Sequence, residues 1–320
     1  MAILPMKRIH IYALLEDRKQ ILELLQQFGT VQVEDDLQED EFFLKKDLTD
    51  EKLKLDRDIT MVSEALAVLN DYAPEEKSMF DSLKGKQELS FADFEELSAK
   101  YHEIFKTASN IKNLDRQIAE STAAMYKLQL QIDTISPWSR LDIPLQFQGT
   151  NSTAALIGTL PRELSHEDIL IQLADLVPEV EGLHLDIISA DHQQTCIFVL
   201  CSKKQESLVE AALRSIGFAR PAIASGDKAP AIQKAEWEEE YENHRKAINE
   251  SKTAIFSFVD SRGELQFLSD CLSMRMERLE TSEHLLESKR IIVISGYILE
   301  REAEALTSAL YNKFLLYMEL

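Results

Sequence analysis

Apolar residues recur every seven positions without a miss from Leu97 through Ile104, Ile111, Ile118 and Met125 to Ile132. A repeat kept that long holds one face of a helix against a partner helix. The row covers about 36 residues, or about 54 Å of helix at roughly 1.5 Å per residue. A compact domain does not need such reach, so the pattern predicts a strut or spacer. Ser90 suits the N-cap of this helix, Phe91 its first turn, and the end falls near Ile135, before Pro137.

Two further helical stretches frame this one. Leu48, Leu55, Val62 and Leu69, with Ile59 and Leu66 beside them, predict a helix from Gln38 to Asn70. Residues 71–89 hold Pro74 and Gly85 and read as a break. A return helix is expected from Ala229 to Lys289, about 90 Å long if continuous. Its stripe passes from Tyr241, Ile248 and Ile255 to Phe258, Leu265, Leu272, Leu279 and Leu286. A straight helix drifts about 20° per heptad, so the row change near Ile255 to Phe258 is read as a correction that keeps one long helix in contact.

The ends of the chain follow a period of two. Lys7-Arg-Ile-His-Ile-Tyr-Ala-Leu14 reads as a strand, residues 16–28 as a helix closed by Gly29, and Val31-Gln-Val-Glu34 as a short strand. Lys289 to Leu299 is the most strand-like run in the chain, and Glu300 to Tyr317 reads as a helix on Ala303, Leu306, Leu310 and Phe314. Two short strands and one helix cannot close a core alone. Both termini are therefore expected to build one lobe together. Between the outbound and return helices lies a second pattern. It has strands at 154–160, 180–189, 195–202 and 219–223, with helices at 165–176 and 205–216. The order β-α-β-β-α-β is the ferredoxin-like plan. Thr195 to Leu200 is apolar on both faces and belongs in the middle of its sheet. Ser165 and Asp168 form an acidic N-capping pair.

The resulting fold class is α+β and elongated: two small α/β lobes joined by a long antiparallel helical coiled-coil arm. Residues 1-37 with 288-320 form the proximal lobe, 38-140 with 226-287 the arm, and 141-225 the distal lobe.

Composition narrows the function. The chain of 320 residues holds 9 Gly and 8 Pro, which fits long uninterrupted elements. Its 35 Lys+Arg against 56 Asp+Glu give a net charge of −21, which repels phosphate backbones and anionic membranes and excludes nucleic acid as a partner. Such charge solubilises an exposed surface, and it also suits docking of basic helices. No apolar stretch reaches the roughly 18 residues of a membrane span, and residues 1–5 are too short for a signal peptide. Three cysteines, Cys196, Cys201 and Cys271, make no disulfide framework, so a reducing compartment is expected.

Candidate chemistry is thin. No glycine pair has a phosphate-loop spacing. His166-Glu-Asp168 and His184 with Asp186 contain metal-ligating types, but the first opens a helix, where acids are favoured anyway, and the second lacks a third ligand. Cys196 and Cys201 differ by five in one strand, so they face opposite ways and share neither metal nor disulfide. Cys271 sits beside core Leu272 with no base in view. Trp237-Glu-Glu-Glu-Tyr-Glu242 reads as a solvated helix face with an aromatic at its seam. No catalytic, metal or cofactor residue is assigned.

Four segments, in order, resemble one family. They are Pro5-Met-Lys-Arg-Ile9; Phe28-Gly29 with Val31-Gln-Val33; Ser136-Pro-Trp138 with Leu141 and Ile143-Pro-Leu145; and Ile294-Ser-Gly-Tyr-Ile298 before an acidic helix start at Glu300. Their order and spacing are similar to the N-terminal cytoplasmic half of the stator subunit of V/A-type rotary ATPases, called subunit I or subunit a. Tyr297 and Leu299 depart from the Trp and Pro frequent in that family. The family continues into a multi-span membrane domain; this sequence stops at Leu320, so no ion-path residue is carried over. The resemblance implies a non-catalytic component of an ion-translocating ATPase, at the cytoplasmic face of the membrane and soluble as this piece. Implied partners are peripheral-stalk heterodimers at both lobes and the membrane domain, and through it the rotor ring, with no small-molecule substrate. Pro137 and Trp138 would turn the chain into the distal lobe, Gly296 would let a strand pack closely, and the row Leu97 to Ile132 would set the lobe spacing. Two alternatives stand beside it: a small-molecule-sensing module with ferredoxin-like lobes on a coiled-coil spacer, and a generic coiled-coil dimer.

Overall fold

The computed structural model describes residues 4–34, 38–75, 91–221 and 227–320. In chain order its elements are β1 (Met6–Leu14), α1 (Arg18–Phe28), β2 (Val31–Val33), β3 (Leu44–Lys45), α2 (Thr49–Tyr72), α3 (Phe91–Ala99) and α4 (Tyr101–Ile135). There follow β4 (Thr153–Pro161), α5 (His166–Leu176), β5 (His184–Ala190), β6 (Gln194–Ser202), α6 (Glu206–Ser215) and α7 (Pro230–Phe256). The chain closes with α8 (Arg262–Glu283), β7 (Leu286–Glu287), β8 (Ile291–Leu299), α9 (Ala303–Lys313) and β9 (Leu316–Glu319). The fold class is mixed α and β with two separate antiparallel sheets. The chain divides into two compact units, Met1–Asn113 with Ile255–Leu320, and Leu114–Ala254.

In the first unit the two chain ends share a sheet of order β3-β7-β8-β1-β9, with β2 on β8 as well. β1 pairs with β8 over nine residues, from Met6 opposite Leu299 to Leu14 opposite Ile291. The alternation of β1 puts Ile9, Ile11 and Ala13 on the face that α1 and α9 cover, against Ile21, Leu25, Leu306 and Leu310. Gly29 ends α1 with φ 61°, a left-handed conformation glycine adopts freely.

Two expectations at this end are corrected. The C-terminal helix stops at Lys313; Phe314 turns extended and Leu316–Glu319 pairs with β1. Phe314 satisfies both a three-to-four and a two-residue period, and the free edge of β1 decides between them, because a helix to Tyr317 would leave that edge unpaired. Residues 38–48 are not helical either. Asp40 Oδ1 accepts from the amides of Phe42 and Phe43, an alternative to helix that short polar side chains offer, and Leu44–Lys45 pairs with Leu286–Glu287. Leu48 remains buried as the residue before α2.

α2 and α8 run antiparallel. Lys52 Nζ lies 2.5 Å from Glu283 at one end, while at the other Arg262 reaches the last turn of α2. Arg262 is 6% exposed and donates to the Leu69 carbonyl, the Ala73 carbonyl and Asn70 Oδ1, with Glu75 Oε1 3.5 Å from its Nε. It thus supplies a donor to the Ala73 carbonyl, beyond the helix end, and a second donor to the Leu69 carbonyl, which already accepts from the Ala73 amide.

The single return helix is corrected too. Phe256 ends α7, residues 259–261 form a 3₁₀ turn, and α8 starts at Arg262. The break coincides with the row change from Ile255 to Phe258: the stripe moves because the helix stops and restarts. The outbound helix is likewise interrupted at Lys100, where the Glu103 amide bonds to the Lys100 carbonyl three residues back. Leu97 therefore belongs to α3 and the rest of its row to α4. Ser90 and Gly85 lie outside the described residues.

The second unit holds a three-stranded sheet, β4-β6-β5, with β6 in the middle. α5 and α6 cover one face, packing Ile169, Leu173, Val209 and Leu213 on Leu156, Ile197 and Val199. β4 and β5 are not neighbours, so the α5 connection skips a strand, as in a split βαβ plan. Of the expected fourth strand at 219–223, the described residues show one bridge, Ala219 to Thr159, beside β4; residues 222–226 lie outside the described set. Ser165 and Asp168 cap α5 reciprocally.

Replacing Arg262 by Met removes the donors and keeps the length. The Ala73 carbonyl and Asn70 Oδ1 then lose this donor, while the Leu69 carbonyl keeps the Ala73 amide, and stability in urea should fall by about 1–3 kcal/mol. An unchanged midpoint would show that the guanidinium is dispensable there.

Candidate functional site

Gly296 sits where three strands meet. It opposes Ile9 on β1 and Val33 on β2. A Cβ at this position would lie 2.2 Å from the Gln32 carbonyl oxygen. Backbone cannot give way as a flexible side-chain tip can, so the approach of β2 needs a residue without a side chain.

Ser136–Trp138 is a 3₁₀ turn with Pro137 at its start, where a missing N–H costs nothing. It turns Trp138, 2% exposed, under the sheet of the second unit. There Trp138 packs with Ile135, Leu141, Leu145, Ile157, Ile188 and Cys196, and Trp237 of α7 lies against the same cluster. This face is opposite the helices. Of the heptad row, Ile104, Ile111, Ile118 and Ile132 are buried, while Leu97 and Met125 are half-buried.

Cys196 and Cys201 belong to different cores, on the Trp138 side and the helix side respectively. Burial pushes both thiols above the usual cysteine range, and does the same to half-buried Cys271. The thiolate is the nucleophile, so all three are held in their inert form. Among the described residues no group of three or more His, Cys, Asp or Glu could hold a metal ion. His166 Nε2 lies 3.1 Å from the Leu185 carbonyl, a contact that joins α5 to β5. None of the described helices is long and apolar enough to cross a membrane.

One feature of the first unit was not read from the sequence. Arg278 of α8 donates to Glu23 at 2.7 Å and to Gln26 at 2.8 and 3.0 Å, both on α1. On either side of this bridge lies an open cleft. One, of about 520 Å³, is bounded by α1, β2 and α8, with Gly29, Val31 and Val33 on its wall. The other, of about 410 Å³, lies among α1, α2 and α8. Its α1 and α2 residues lie more than 200 positions from those of α8, so no local pattern marks them.

No family model matches the chain, and no curated protein matches it. Among solved structures it is similar to the cytoplasmic N-terminal domain of subunit I, homolog of subunit a, of V-ATPase, at 12% identity and a TM-score of 0.46. The overlay spans 98% of this chain and 99% of that one.

Gly296→Ala should push β2 off β8 and lower stability by about 1–3 kcal/mol, the range for overpacking, read as a lower melting temperature. Thiol labelling of the native chain at neutral pH should be slow at Cys271 and slower still at Cys196 and Cys201, with all three reacting at once in denaturant. Fast native labelling at Cys196 would show that its core opens.

Proposed function

We propose that this chain is the N-terminal cytoplasmic part of the stator subunit of a V/A-type rotary ATPase, a non-catalytic component of an ion-translocating machine. The observation that carries this reading is the convergence of the motif segments in space. Pro5-Met-Lys-Arg-Ile9 and Ile294-Ser-Gly-Tyr-Ile298 lie almost 300 positions apart, yet Lys7 pairs with Ile298 and Ile9 with Gly296. Val31-Gln-Val33 joins them, with Val33 opposite Gly296. Three of the four segments thus build one joint in the first unit. The fourth, around Ser136-Pro-Trp138, builds the Trp138 core of the second. Motifs that share a sheet have a common physical reason to occur together.

In this reading residues 1-37 with 288-320, and residues 141-225, are lobes that receive peripheral-stalk heterodimers, with helices of 38-140 and 226-287 between them in sequence. The task is mechanical: to hold the stalks while the rotor turns. Close-packed interiors have low compressibility, and each unit has buried apolar cores of that kind. Exposed apolar side chains offer contact area on both, such as Tyr317 and Leu315 in the first unit and Tyr126, Leu130 and Ile171 in the second. A membrane domain and the rotor ring complete the assembly.

Titration calorimetry of the whole chain with a reconstituted peripheral-stalk heterodimer should give saturable binding, and the mixture should hydrolyse no ATP. Absence of any heat of binding, with both proteins folded, would count against the stator role.

A further inference from the structure

The cleft of about 410 Å³ in the first unit reverses the charge of the chain around it. Three helix faces form it. From α1 come Arg18, Lys19 and Leu22, from α2 Glu51, Lys54, Leu55 and Asp58, and from α8 Arg275, Arg278 and Leu279. Five cations thus face two carboxylates, where the whole chain has 35 basic against 56 acidic residues. Leu22 and Leu55 are buried beneath them, with Leu279 half-buried alongside.

The cations differ in how far they are committed. Arg18 pairs with Glu287, and Arg278 with Glu23. Glu51 has Lys46 3.5 Å away. Lys19 and Lys54 are exposed and make no ion pair among the described residues. The Arg275 guanidinium lies over the Tyr101 ring at 5.8 Å and has no carboxylate partner among the described residues. Asp58 is the one lining carboxylate with no ion pair among the described residues, so three uncommitted cations stand against one uncommitted acid around a leucine floor. Charges further off than about 8 Å are largely screened at physiological salt, so a bound segment responds to this local set and not to the net −21.

We propose that this cleft receives an amphipathic helical segment of a partner protein, one that sets Asp or Glu against Lys19, Lys54 and Arg275 and apolar side chains against Leu22, Leu55 and Leu279. A small inorganic anion would meet the cations and leave the leucines wet. A basic segment would meet like charge. A helix presents acidic and apolar residues at three- and four-residue steps on one face, which matches a groove floored by leucines and rimmed by cations. The net charge of the chain points to basic partners; this site selects the opposite kind. The inference goes beyond the stator reading and does not require it.

The test uses the whole chain and a fluorescent synthetic helix with leucines at heptad spacing and glutamates on its other positions, followed by anisotropy. The glutamate helix should bind, weaken as salt rises, and lose about tenfold or more in affinity when Lys19→Glu and Lys54→Glu are combined, a loss of about 1.4 kcal/mol. A helix with lysines in place of the glutamates should not compete. Both lysines are exposed and unpaired, so the double variant should melt with the parent; if it does not, Lys54→Gln alone replaces it, with a smaller loss in the same direction. Equal affinity for parent and variant overturns the proposal. So does tripolyphosphate that binds through Lys19 and Lys54 where the helix does not, which would make this a plain anion site. Self-association of the chain that vanishes in the double variant also overturns it, since the occupant would then be a second copy.

Discussion

Everything in the first unit depends on the pairing of β1 with β8. Residues 6–14 and 291–299 make nine antiparallel partners, the longest ladder joining the two ends, against four for β1 with β9 and three for β2 with β8. Closing so large a loop is less costly than its length suggests. The entropy grows only with the logarithm of loop length, about 5 kcal/mol for a loop of this size beyond a constant. The ladder, with Ile9, Ile11, Ile292, Ile294 and Ile298 buried at its centre, offsets that cost locally. β2 and β9 then build on the same two strands, so the close approach at Gly296 and the edge partner of β1 both follow from one register.

Much of this was legible in the sequence because strands write themselves in alternation. Lys7 to Leu14, Lys289 to Leu299 and Thr195 to Leu200 were readable as strands, and parity alone put Cys196 and Cys201 on opposite faces, where two separate cores hold them. The errors share a cause. Periodicity reports which side chains face a core and says little about whether the backbone between them is continuous. The heptad row crosses Lys100 undisturbed, although the helix is interrupted there. At Ile255 to Phe258 a shift of stripe was read as drift in a continuous helix; it marked a stop and a restart. Phe314 fitted two periods, and only the empty edge of β1 chose between them.

The basic cleft was illegible for a different reason. Its positive groups come from α1, α2 and α8, and each of those helices also carries acids, so no stretch of sequence looks basic. Arg278 and Arg262 illustrate the same point. Each reaches from α8 to another helix and donates to groups at it, Glu23 and Gln26 in one case and Asn70 Oδ1 and the Ala73 carbonyl in the other. A sequence shows them as two ordinary charges on a helix. Their worth lies in partners that only folding supplies.

The two units differ in how their residues are drawn from the chain. One is the unbroken stretch Leu114–Ala254; the other joins Met1–Asn113 to Ile255–Leu320. On the ribosome this sets a timetable. The unbroken unit can fold as soon as its last helix emerges. β1, made among the first residues, must wait until residue 299 appears, about 15 to 55 s at roughly 5–20 residues per second. Throughout that interval Ile9, Ile11 and Ala13 have no partner strand. Premature termination between Ala254 and β8 would release a chain with one finished unit and one adhesive end, so the cell's exposure to misassembly of this protein is set by the pace of translation.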